Sequence, residues 1–264
     1  MADAAAVKQL QAVHLQHPFY GVRRLAIHLG WSENKARRVR TLASVRIPRA
    51  SKKYRYRQGP KAEIMAPANA LHAYAVFKDS NRPQDGMNYS NMVNAEAWVQ
   101  DFTHIWFEGA WCYLAVVMNL KTREIVGWRI GTNHSSELTY AALLDALSKH
   151  QVPAILHSDQ GSEYLSHKHQ LLCERMEIQL SVSTKGSPWQ NGFMERWFGN
   201  FKTELPSLKY LQGLSQLHEA IAMQIHYYNT KRIHSALKMS PAAYAATLNI
   251  NSLSSDKVLQ KVGA

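Results

Sequence analysis

The run Ala97-Trp-Val-Gln-Asp-Phe-Thr-His-Ile105 decides how this chain folds. β-branched and aromatic residues dominate it, and neither glycine nor proline interrupts it, which is strand composition. Two further runs of this kind follow the strand Trp98 to Trp106: Cys112 to Asn119 and Glu124 to Ile130. Glu108-Gly109 and Lys121-Thr-Arg123 supply the turns between them, so an antiparallel meander is expected. Asp101 stands mid-strand. A carboxylate inside an otherwise apolar strand is costly unless paired or metal-bound, which makes Asp101 the most telling residue on physical grounds.

Working outward, the pattern downstream alternates between helix and strand. Ser136 to Lys149 reads as a helix capped by Ser136, with Leu138, Ala141, Ala142, Leu144 and Leu147 on its inner face. Ala154 to His157 is a fourth strand that delivers Asp159. His167 to Met176 is a helix, Ile178 to Val182 a fifth strand, and Gln190 to Leu205 the helix carrying Glu195. The fold class expected is α/β, a five-stranded mixed sheet with helices on both faces. After Pro206, Leu214 to Tyr228 forms a long helix, and a short one follows Pro241.

Upstream, Val7 to His14 is helical, and His17-Pro-Phe-Tyr-Gly21 breaks it. Val22, Leu25, Ala26 and Leu29 have the spacing of a second helix. Gly30-Trp31 ends that helix, and Ser32 caps a third from Glu33 to about Ala43. Two helices about a tight glycine turn, the second basic, make a helix-turn-helix pattern. Lys35, Arg37, Arg38 and Arg40 would project from it toward phosphates or base edges. Arg46 to Lys61 carries seven basic residues and no acid, with Tyr54 and Tyr56 interleaved, as suits an extended track for a DNA backbone. Ala66 to Ala95 has some helical character up to Lys78 and then a loop through Asn81 to Gly86.

The charge distribution supports a polyanionic partner. Residues 1–61 hold 14 of the 31 Lys and Arg but two of the 19 acids, so the remainder carries 17 of each sign. The whole excess of the +12 net charge lies in that first quarter. DNA suits it better than a membrane surface, because the block is not one amphipathic helix with an aromatic anchor. Cys112 and Cys173 fit a disulfide-free fold in a reducing compartment. No signal-peptide pattern opens the chain, and the apolar stretch from Trp111 to Leu120 is too short to span a bilayer, so a cytoplasmic protein with no membrane contact is expected.

Three acids in three settings suit metal-bound carboxylates. They are Asp101, Asp159 at the end of Pro153-Ala-Ile-Leu-His-Ser-Asp159, and Glu195 in Pro188-Trp-Gln-Asn-Gly-Phe-Met-Glu-Arg196, with 35 residues between the second and third. Two strand-borne aspartates and a helix-borne glutamate can converge on two divalent cations, the equipment for cutting and joining phosphodiesters. Asn191 and Lys202 lie near Glu195's helix face. Gly186-Ser187-Pro188 and Gly192 suggest a mobile loop bringing Lys185 and Trp189 to DNA. His157 shares a strand face with Asp159 and reads more readily as a core histidine. His167, His169 and Cys173 lack a paired second cluster, so zinc is not expected there.

Order and spacing resemble the DDE recombinases, that is, retroviral integrases and the OrfB-type transposases of bacterial insertion sequences. The similarity runs from about Tyr20 to Tyr244. It rests also on His157-Ser-Asp-Gln-Gly-Ser-Glu-Tyr164, on Lys185-Gly-Ser187 before Asn191-Gly192, on Lys202, and on Tyr228-Asn-Thr-Lys-Arg-Ile-His234 with Pro241. Tyr20-Gly-Val-Arg23-Arg24 resembles the helix-turn-helix that precedes the catalytic core in such transposases. The resemblance implies a ribonuclease H-like core and two Mg²⁺ or Mn²⁺ ions. Asp101 would bridge both ions, Asp159 would hold one and Glu195 the other. It implies a helix-turn-helix DNA-binding domain at 1–45, a basic linker and connecting segment at 46–95, a catalytic core at 96–205 and a helical extension at 206–264.

The activity implied is DNA strand cleavage and strand transfer on mobile-element ends and target DNA, by a homo-oligomer assembled on DNA. In a bacterial cell the protein would lie with the nucleoid, and an upstream-frame transposase product is a further expected partner. The zinc module of retroviral integrases has no match at the N-terminus. Gln160 and Glu163 stand where many such transposases carry Arg and Gln, and Trp189-Gln190 replaces more usual acidic and small residues. Two other functions remain open from sequence: a metal-dependent nuclease that cuts without joining, and a DNA-binding regulator whose chemistry is lost. The intact carboxylate triad speaks against the regulator.

Overall fold

The structure is a computed structural model that describes residues 2–48, 67–78, 87–89, 91–92, 96–184 and 187–248. Arg49 to Lys61 of the basic track and the Asn81–Gly86 loop lie outside the described residues. Contacts gather the chain into two compact units. One takes the described residues of 1–52, 200–206 and 220–264, and the other those of 53–199 and 207–219.

The first unit begins with α1 (Ala2–Gln16), longer than the Val7–His14 expected, followed by α2 (Val22–Leu29) and α3 (Glu33–Leu42). The break between α2 and α3 is made by Gly30, whose φ of 65° is a left-handed cap that favours glycine. Ser32 then starts α3 by accepting the Lys35 N–H at 3.2 Å, the N-cap expected from the sequence. Leu10, Val13, Tyr20, Leu25, Ala26, Ala36 and Val39 form the buried centre of this unit, with Ile233 packed against it.

In the second unit, a 3₁₀ turn at Ala70–Tyr74 replaces the expected helical stretch, and β1 (Val76–Phe77) pairs antiparallel with β2 (Met87–Asn88). The main sheet starts with β3 (Ala97–Phe107), β4 (Ala110–Asn119) and β5 (Ile125–Gly131). Glu108 and Gly109, with φ of 46° and 79°, make the two-residue turn whose twist suits adjacent antiparallel strands. α4 (Ser136–Leu147), β6 (Ile155–Ser158), α5 (His167–Arg175) and β7 (Gln179–Val182) follow. The sheet order is β5-β4-β3-β6-β7, with β6 parallel to both β3 and β7 and the other pairs antiparallel. This is the mixed five-stranded sheet expected. A 3₁₀ turn at Pro188–Asn191 leads into α6 (Gly192–Glu204), and α7 (Gly213–Thr230) comes later. Residues 241–248 are helical.

One face of the sheet is filled by Trp98, Ala115, Val117, Leu156 and, from α4 and α5, Leu138, Ala142, Leu143, Ala146 and Cys173. The expected inner face of α4 needs correction. Leu144 is 41% exposed, while Thr139, Leu143, Asp145 and Ala146 are buried. Small residues at 142 and 146 let α4 settle directly on β5, where Gly127 leaves no room for bulk, and this phase turns Leu144 outward. Ser135, rather than Ser136, occupies the cap position.

Candidate active site

β3 and β6 bring two of the three acids together. Their parallel register sets Ala97 opposite Ile155, Trp98 opposite Leu156 and Val99 opposite His157. Carried two residues further, the same offset sets Asp101 level with Asp159, and neighbouring strands lie about 4.8 Å apart. Asp159 stands just past the end of β6 and is partly buried; its Oδ1 accepts the Gly161 N–H at 2.8 Å, which fixes the carboxylate. Asp101, also partly buried, accepts the Phe102 N–H at 2.8 Å through Oδ1. Its Oδ2 accepts from Asn191 Nδ2 at 2.9 Å.

The electrostatics record this crowding. Burial holds the Asp101 carboxyl well above the usual carboxylate range, and the negative charges of Asp159, Glu163 and Glu195 push it further. A divalent cation would reverse that balance, because it favours the ionised form. Among the described residues, no three of His, Cys, Asp and Glu converge closely enough to enclose an ion as the site stands. The donor set nevertheless fits a hard cation: it is all oxygen and partly open to solvent. In addition, the buried Oδ1 of Asn191 has no hydrogen-bond partner although its amide rests on Asp101.

Glu195 is the fourth residue of α6 and is exposed, while Met194, Trp197 and Phe198 around it are buried and anchor the helix. The Arg123 guanidinium packs on the Phe193 ring at 3.7 Å and secures the helix start. Gln190 Oε1 accepts the Thr184 N–H at 2.6 Å, tying the turn before α6 to the segment after β7. Lys185 and the Trp189 side chain fall outside what the structure describes. Lys202 is exposed in the same helix as Glu195.

His157 is a satisfied core histidine, as expected. It is fully buried, bonded to Ser181 Oγ and Ser183 Oγ at 2.9 Å each, and burial pulls its pKa down to about 4. His169 and Cys173 are also buried, with His169 Nε2 2.8 Å from Gln100 Nε2.

The basic candidates of the first unit divide. Arg23, Lys35, Arg37 and Arg38 are exposed and Arg40 is partly so. Lys35 lies over the Trp31 ring at 4.4 Å, and Arg38 meets Asp3 at 2.7 Å. Arg24 turns inward instead, 3.6 Å from Glu204, with its side chain 17% exposed. The C-terminal signature acquires a packing role: Arg232 is buried and grips Glu204 through two bonds of 2.6 and 2.5 Å. Glu163, which the sequence marked only as a departure within the motif around Asp159, is buried beside this site.

Comparison with known proteins agrees with this architecture. Residues 94–188 and residues 176–241 each match a family described as Integrase core domain. The chain is 32% identical over 251 residues to the insertion element IS600 uncharacterized 31 kDa protein of Shigella sonnei, across 92% of this chain and 88% of that one. It is 33% identical over 172 residues to the transposase for insertion sequence element IS904 of Lactococcus lactis, across 61% and 68%. A chain of the simian T-cell lymphotropic virus intasome, solved with a PP2A regulatory subunit, has a TM-score of 0.52 at 16% identity, covering 88% of this chain and 72% of that chain. The HTLV-2 integrase catalytic core domain in complex with magnesium has a TM-score of 0.49 at 22% identity, covering 58% and 97%.

Proposed function

The chain belongs to the DDE transposases of insertion sequences, with a ribonuclease H-like integrase core, and we propose that Asp101, Asp159 and Glu195 are the residues with which it cuts and joins DNA. The observation that carries this assignment is the parallel β3–β6 register, which, carried two residues on, sets Asp101 level with Asp159 just past the end of β6, with the charges of Asp159 and Glu195 acting on Asp101. Two Mg²⁺ or Mn²⁺ ions, when bound, would activate the attacking oxygen and stabilise the leaving one. Asp101 would face both ions, Asp159 one and Glu195 the other. Asn191 orients Asp101 through its amide hydrogen bond.

Around these acids the chain's own residues hold the substrate. Lys202, together with Lys185 and Asn191, would meet phosphates beside the scissile bond. Arg23, Lys35, Arg37, Arg38 and Arg40 would grip the element end from the helix-turn-helix, proposed to act within residues 1–45. Arg24 points to Glu204, so its share in that grip is through holding the helices in place. Water frees a 3′-hydroxyl at the element end, and that hydroxyl then displaces the leaving oxygen of a target phosphodiester in line. Because two ends must be joined in one event, the working form is a homo-oligomer assembled on DNA, in the cytoplasm at the nucleoid. An upstream-frame transposase product is the further partner proposed.

The test is strand cleavage and joining on labelled terminal-repeat DNA with Mg²⁺ or Mn²⁺, comparing wild type with Asp159→Asn. Joined products are expected to fall by about 10³-fold in the variant, the scale of losing one electrostatic stabiliser of a transition state. Cleavage without joining by the wild type would identify a nuclease instead. Equal DNA binding by both proteins, with neither activity, would point to a regulator or to a core that needs its upstream-frame partner.

A further inference from the structure

One acid beside the site has no part in the roles above. Glu163 is 8% exposed, and its carboxyl lies directly against Gly161, where a methyl group built on the glycine would clash with it. The same Gly161 donates its N–H to Asp159 Oδ1 at 2.8 Å. Two carboxylates therefore flank a single glycine. An acid on each side of one glycine is an arrangement that a cation between them would favour.

Two further groups point to a ligand in that space. The Tyr164 hydroxyl, in a residue 1% exposed, has no hydrogen-bond partner, and the charges of Asp101, Asp159 and Glu163 all bear on it. The unpartnered Asn191 Oδ1 is the other, an acceptor next to Asp101. Glu163 is also held in orientation. His134 Nε2 approaches its Oε1 at 3.3 Å, and the His134 ring packs on Phe102 with centroids 4.1 Å apart.

We propose that Glu163 is a fourth carboxylate of the divalent-cation site, facing the ion held by Asp159 directly or through one of its waters, with His134 as its positioning residue. This rests on the assignment of Asp159 as a metal-holding residue. Mg²⁺ and Mn²⁺ keep several waters when bound, so an added carboxylate can act at either distance. Glu163 strengthens ion binding without contacting DNA, and its loss is felt first in the metal requirement.

The experiment is Mn²⁺ titration of the full chain, reading free Mn²⁺ by electron paramagnetic resonance, for wild type, Glu163→Gln, His134→Gln and Asp159→Asn. Glu163→Gln is expected to raise the Mn²⁺ Kd by about tenfold or more, the usual effect of removing a supporting group at a metal site. Its metal-free thermal midpoint should hold or rise, because a repulsion is removed. His134→Gln changes an exposed residue, so it tests the proposal even where Glu163→Gln fails to fold; a several-fold rise in Kd is expected. An unchanged Kd in a folded Glu163→Gln variant, or in His134→Gln alone, would overturn the proposal and leave Glu163–His134 a structural pair. If Asp159→Asn weakens Mn²⁺ binding and Glu163→Gln does not, the triad stands and the fourth carboxylate falls. If neither weakens it, or the wild type takes up no Mn²⁺, both fall.

Discussion

Gly127 shows how one residue fixes the seating of α4. A methyl group there would meet the Ala142 carbonyl oxygen at 2.5 Å, the Ala146 nitrogen at 2.6 Å and the Ala146 Cβ at 2.7 Å. Two of these are backbone atoms, so a whole helix must shift to make room. Gly127→Ala is expected to cost about 1–3 kcal/mol, the usual range for overpacking, and urea denaturation will show it as a lowered midpoint with unchanged slope. At this scale legibility in the sequence was uneven. Asp101 stood out because a lone carboxylate contradicts its apolar strand. Glu163 did not, because nothing local says that residue 163 is buried against Gly161 or that His134 reaches it across 29 positions. Gly127 was silent for the same reason: close approach of helix to strand is a tertiary fact.

Among the elements, the strands were the most readable, because each is a short apolar run bounded by turns, and the observed limits of β3 to β7 differ from expectation by a residue or two. The phase of α4 was misjudged because leucines outrank alanines on any hydrophobic scale, yet packing against Gly127 selects the smaller residues. The tie between the end of α6 and the segment after α7 could not be read at all. Arg232 and Glu204 are 28 residues apart, and no periodicity links them, yet they form a bidentate pair with side chains 3% and 7% exposed. Burial alone would lower the Arg232 pKa, but its hydrogen bonds to Glu204 and that residue's charge raise it. Arg232→Ala strands a buried carboxylate with Arg24 at 3.6 Å as its nearest remaining cation in the pair network, and is expected to cost about 3–5 kcal/mol. Differential scanning calorimetry checks this; a change in midpoint within 1–2 °C would refute it, since several kcal/mol moves a midpoint by many degrees.

For the whole molecule, the unit built on α1 to α3 is not contiguous in sequence. The Tyr20 hydroxyl accepts the Ile233 N–H at 2.8 Å, and His17 Nδ1 lies 2.7 Å from the Tyr227 hydroxyl. A fragment of residues 1–48 lacks these partners and the Ile233 side chain that packs on its core. Such a fragment is expected to melt without cooperativity; a sharp transition followed by circular dichroism would contradict that. The same arrangement sets an order of events during synthesis. The sheet from residue 97 to residue 182 leaves the ribosome as one stretch and can close while translation continues. The first helices wait for Tyr227 and Ile233, which are made after the sheet. A nascent chain therefore brings Asp101 and Asp159 together before it completes the helices that present Arg23, Lys35 and Arg38, and a message cut short before those codons yields a chain whose basic helices never acquire their full core.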